Sequence, residues 1–131
     1  MERLYIQKTD FSPEIVFDYI NNDYHISGES RLEHVRKFYE PIFEWFNVFF
    51  TNKEYLKNSK NITIVFSLEY FNSTSAKVFF DFLLMLKKMQ DENSVNFTIL
   101  CQYSNSDLDL FESGKLLEEL TKLKFEYKQI E

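Results

Sequence analysis

The chain has 131 residues, 44% hydrophobic and 18% aromatic, and carries a net charge of −6. That is material for one domain over residues 1–131 that buries roughly two thirds of its unfolded surface, and two Gly with two Pro leave little for long linkers. The negative balance argues against nucleic acid and against an anionic membrane surface, both of which call for a basic patch, and it leaves a neutral or basic protein partner open.

Leu4 to Lys8 reads as a short edge strand. Glu14 to Asp18 holds Ile15, Val16 and Phe17, which favour a strand. The turn cluster Asn21-Asn22-Asp23 and the alternation from Tyr24 to Ser27 predict a hairpin that Gly28 ends. From Leu32 to Phe50 the period changes to three and four, with Val35, Phe38, Tyr39, Ile42, Trp45, Phe46 and Phe49 on one apolar helical face. Pro41 lies inside it and costs about 3 kcal/mol in a regular interior, so a kink or a break into two pieces is expected there. Asn52 to Lys60 is polar and reads as a loop.

Asn61 to Glu69, with Ile62, Ile64, Val65, Phe66 and Leu68, suits a central buried strand. Asn72-Ser73-Thr74-Ser75 follows, then a helix from Ala76 to Gln90 with Val78, Phe79, Phe82, Leu83 and Leu86 on one face. Three hydroxyl residues ahead of an apolar helix are an N-cap signal. Val95 to Tyr103 is a further strand. Asn105-Ser106-Asp107 can cap a third helix, Leu108 to Leu120, in which Gly114 is a weak point. Lys124 to Ile130 alternates as a last strand. The order β-β-α-β-α-β-α-β, with an extra N-terminal edge strand, predicts an α/β fold: a mixed, partly parallel sheet with helices on one or both faces.

A single cysteine, Cys101, excludes a disulfide within the chain and suits a reducing compartment. Its place in a strand predicts a buried, inert thiol. Met1 to Tyr5 has no apolar signal core, and the apolar run Val78 to Leu86 is too short to span a bilayer and contains Asp81. The expected location is the cytoplasm.

His25 and His34 form no spaced set with Cys101 or a carboxylate cluster, so no metal site is expected. Glycines at 28 and 114 make no phosphate loop or dinucleotide fingerprint. Pairs such as Glu118-Glu119 and Asp107 with Asp109 read as solvated helix faces. No cofactor and no catalytic constellation is expected.

One place stands out. Asn72-Ser73-Thr74-Ser75 joins the central strand to a helix N-terminus, where α/β proteins concentrate function. A cap and a strand-exit turn account for one hydroxyl and leave two over. A phosphate on Ser73 would add nearly two negative charges at the positive end of the helix dipole, a locally tolerated change that alters the outer surface sharply.

The stretch Leu68 to Lys77, containing Tyr70-Phe71-Asn72-Ser73-Thr74-Ser75, resembles the "YFN[TS]SS-x-K" signature of the SiaC family. Ser12-Pro13-Glu14-Ile15 resembles its "TP-x-I", Ile26 to Ser30 its "I-x-GES", and Tyr39 to Trp45 its "Y-x-P-[IL]-x-x-W". Gln102-Tyr103 with Asp107, Asp109, Glu112 and Gly114 resembles its tail. The resemblance implies a regulatory phosphoprotein with a STAS-like fold and no enzymatic activity. It implies a dedicated protein kinase acting on Ser73 (Thr74 and Ser75 being register alternatives), a PP2C-type phosphatase, and a downstream target such as a diguanylate cyclase. Tyr70, Phe71, Asn72 and Lys77 are then candidates for partner binding. Two departures bear on the target: the family's "GESYPEN" is here Gly28 to His34 with Arg31-Leu32-Glu33-His34, and its tail "GE" is Gly114-Lys115.

Overall fold

The computed structural model describes residues 2–104 and 108–130. The expected cap Asn105-Ser106-Asp107 lies outside the described residues.

Three strands open the chain: β1 (Leu4–Ile6), β2 (Glu14–Asp18) and β3 (Asp23–Ser30). They pair antiparallel in sequence. The β2–β3 turn is held by Asp18, whose carboxylate accepts from the backbone N–H groups of Ile20 (3.1 Å) and Asn21 (3.2 Å) and from Asn21 Nδ2 (2.7 Å). Those bonds, led by the Asn21 side chain, hold the carboxyl below its ordinary value. Asn22 takes a positive φ of 53°, which Asn tolerates.

Gly28 does not end β3, contrary to expectation. It sits inside the strand at φ 116° beside a register shift against the next strand. The pairing then skips one residue of the neighbouring strand, Glu69, and resumes through Ser30.

Helix α1 (Val35–Thr51) runs unbroken through Pro41. The proline removes one donor from the ladder, but Tyr39, Ile42, Trp45, Phe46 and Phe49 are all buried. Burial of that aromatic face outweighs the local penalty. The segment read as a loop contains a short helix, α2 (Lys53–Asn58). Asn52 caps it, accepting from Glu54 N (3.0 Å) and Tyr55 N (3.3 Å). Tyr55 then lies 4.3 Å from the Tyr19 ring, a tertiary contact that polar composition did not reveal.

The second half comprises β4 (Asn61–Phe71), α3 (Ser73–Glu92), β5 (Asn96–Tyr103), α4 (Leu108–Thr121) and β6 (Lys124–Gln129). The sheet order is β1-β2-β3-β4-β5-β6, parallel from β3 onward. Parallel neighbours joined in chain order by right-handed crossovers place α1, α3 and α4 on one face, where α1 packs on α3 and α3 on α4. The alternation agrees. Ile62, Ile64 and Leu68 of β4 are buried, while Thr63 and Glu69 are exposed. Beneath the helices Phe46 is the hub, with ring contacts to Phe17, Tyr24, Phe82 and Phe97 at 5.1–6.1 Å.

Candidate functional site: the turn between β4 and α3

Strand β4 is central, and its carboxyl end delivers the chain to α3. The expected hydroxyl cap is corrected here: Asn72 is the N-cap, and the helix begins at Ser73. Asn72 Oδ1 accepts from Ser75 N (2.9 Å) and from Thr74 Oγ1 (3.0 Å). An amide on a short stem reaches the third helical N–H as a hydroxyl would. Its Nδ2 donates to Leu32 O (3.4 Å) and its backbone N–H to Ser30 O (3.2 Å), so the turn is tied to the end of β3.

The three hydroxyls therefore occupy the first turn of α3 and differ sharply. Ser75 is fully buried. Its Oγ lies 2.7 Å from Ser30 Oγ, which lies 2.7 Å from Tyr39 OH. A consistent chain of donors runs from Tyr39 OH to Ser30 Oγ, on to Ser75 Oγ, and back to Ser30 O at 3.4 Å. Burial pushes the Tyr39 hydroxyl well above its ordinary range, so it stays a donor. Thr74 is exposed but bonded to Asn72. Ser73 is exposed, and its hydroxyl makes no hydrogen bond among the described residues.

The neighbouring residues take distinct places. Phe71 is half-buried with its ring 5.7 Å from Phe79. Tyr70 is 38% exposed and lies under the Arg31 guanidinium, 3.8 Å from carbon to ring centroid. Lys77 is exposed one helical turn after Ser73. Arg36 of α1 is ion-paired to Asp81 of α3. The Arg31–His34 segment, with Phe11, Lys37 and Phe38, lines an open depression beside the turn. Lys115 lies elsewhere, 4.5 Å above the Tyr127 ring between α4 and β6.

Ser30 and Tyr39 are the site residues that sequence reasoning passed over. Tyr39 fits the apolar period of α1 and so read as core alone. The signal was the spacing of the "GES" and "Y-x-P" elements, whose polar members meet at Ser75.

The other candidates fall outside this turn. Cys101 faces α4, and burial pushes its thiol up to about 12. His25 lies on the helix-free sheet face, bonded to Glu14 and Asp23 at 2.9 Å each. Burial lowers its pKa, but the two carboxylates together outweigh that and raise it. Among the described residues no group of three or more His, Cys, Asp or Glu could hold a metal ion, and no helix is long and apolar enough to cross a membrane.

The fold is thus a mixed sheet with helices on one face and an exposed serine on the first helical turn after the central strand. The SiaC family regulatory phosphoprotein model matches residues 6–130, and the chain belongs to that family. No curated protein matches the sequence. Among solved structures, apo-SiaC from Pseudomonas aeruginosa aligns with a TM-score of 0.80 at 19% identity, covering 98% of this chain and 99% of that one. SiaC from the same organism in complex with the diguanylate cyclase SiaD, which it activates, aligns at 0.79 and 18%, covering 97% and 99%. At these identities the likeness establishes the fold.

Proposed function

We propose that the chain is the phosphorylatable member of a signalling circuit, a single domain over residues 1–131 on a STAS-like scaffold, acting in the cytoplasm without chemistry of its own. A protein kinase modifies Ser73, a PP2C-type phosphatase reverses it, and the state of Ser73 controls binding to a downstream target. The SiaD–SiaC complex suggests a diguanylate cyclase as that target.

The observation that carries the choice of residue is the inequality of the three hydroxyls. Ser73 is exposed and without a hydrogen bond among the described residues, whereas Thr74 is bonded and Ser75 is sealed in the core. A phosphate at the first helical position also meets the favourable end of the dipole. Tyr70 and Lys77 supply accessible contact surface beside it, while Phe71 and Asn72 hold the turn in shape.

The test is phosphopeptide mapping of the protein from its own host in logarithmic and stationary growth. Phosphate on Ser73 with changing occupancy is the expected result, followed by different captured partners for Ser73→Ala and Ser73→Asp. A segment from Tyr70 to Lys77 that is always bare would leave an unswitched binding module instead.

A further inference from the structure

Arg31 follows the end of β3 and is bracketed by the turn. Ser30 O accepts from Asn72 N, and Leu32 O accepts from Asn72 Nδ2. Its backbone N–H is fixed to Phe11 O at 2.8 Å. The main chain at Arg31 is thus pinned beside the residue that precedes Ser73. The side chain is held far less firmly. Its guanidinium stacks on Tyr70, and Nε meets Glu29 Oε2 at 3.4 Å, with both charged side chains substantially exposed. An exposed pair of this kind adds little.

We infer that Arg31 is the receptor for phosphate on Ser73, leaving Tyr70 and Glu29 for the phosphoryl oxygens and so uncovering the Tyr70 ring. The inference rests on the proposed modification of Ser73. A phosphate dianion offers the guanidinium a two-pronged, charge-assisted contact that the single Glu29 carboxylate oxygen does not match. The guanidinium sits on a flexible stem rooted beside Asn72, the residue that precedes Ser73. Lys77, one turn along α3 from Ser73, adds a further exposed positive charge. The chemical message thereby becomes a change of surface: an aromatic face and the Glu29 carboxylate are released next to the new phosphate.

The test uses the full chain with phosphoserine genetically encoded at position 73, followed by phosphorus NMR. The second ionisation of the phosphate should lie roughly one pH unit lower in the otherwise unaltered protein than in Arg31→Gln. Lys57→Gln, which removes one charge on α2, should leave it nearly unchanged. Arg31→Lys should fall between, and it carries the comparison if Arg31→Gln fails to fold. Proton NMR should show the Arg31 side chain losing its ring-current shift on phosphorylation. Equal titrations with and without Arg31, or an Arg31 signal that stays on the ring, would overturn the assignment. Encoding the phosphoserine separates this outcome from that of the host mapping: a bare Ser73 in the host sinks the proposed function and this switch with it, whereas equal titrations sink the role of Arg31 alone.

Discussion

At the scale of single residues, the four positions from Asn72 to Ser75 divide their labour in a way that stability measurements can read. Asn72 caps α3, so Asn72→Ala should cost about 1 kcal/mol. The Ser73 hydroxyl makes no hydrogen bond among the described residues, and Ser73→Ala should stay within about 0.5 kcal/mol. Ser75→Ala leaves the buried Ser30 hydroxyl without its acceptor and should cost about 1–3 kcal/mol. Urea titrations of the three variants check the order, and a Ser73→Ala loss as large as that of Asn72→Ala would contradict the assigned cap. The sequence showed a strand-to-helix junction here but misassigned the cap. Asn, Ser and Thr all serve as caps, and composition does not say at which residue the backbone turns helical. The contrast between a sealed Ser75 and an open Ser73 depends on Ser30 and Tyr39, which arrive from distant segments.

His25 gives a second prediction at this scale. Its folded pKa is raised above the ordinary value near 6.5. A raised pKa means that the folded state binds the proton more tightly, so the contribution is fully present below about 6.5 and fades as pH rises through the folded value. His25→Gln should therefore lose more stability relative to the parent at about pH 6 than at about pH 8. A difference that does not change with pH would show that Glu14 and Asp23 do not hold the imidazolium.

At the scale of elements, strands and long helices were legible because their periods of two and near four are imposed by burial on one side. The misreadings have definite physical sources. Gly28 resembled a terminator, yet it lies inside β3 at φ 116°, beside the step at which Glu69 of β4 is left out of the pairing. Gly28→Ala should cost about 1–3 kcal/mol, because an L-residue is strained there and a Cβ would lie 3.3 Å from Lys8 Cε. Melting curves test it. A loss under about 0.5 kcal/mol would indicate that the strand relaxes around the added methyl. Pro41 resembled a helix breaker, but local propensity yielded to the aromatic face of α1. Helix α2 was hidden because the contacts of Tyr55, tilted against the Tyr19 ring and stacked on Phe49, are tertiary.

At the scale of the whole molecule, the one-sided arrangement concentrates the core between the sheet and three helices, with Phe46 touching rings from β2, β3, α3 and β5. Phe46→Ala should cost about 3–5 kcal/mol, a large share of the total stability of a domain this size. Chemical denaturation checks it, and a loss under about 1 kcal/mol would mean that the ring cluster repacks around the gap. That the helices lie on one face was not readable from the element order alone. It follows from the pairing of strands, which a single sequence does not display.

Strand order that matches chain order also has a kinetic side. Each strand added to the sheet lies next to the strand just before it, so each parallel pairing closes only across the helical segment that joins the two strands. During synthesis the sheet can therefore grow in one direction as the chain leaves the ribosome. The Asn72 turn needs β3, α1, β4 and α3, and all four precede β5, α4 and β6 in the chain. The serine proposed as the switch is thus surrounded by its supporting contacts while the last third of the protein is still being made.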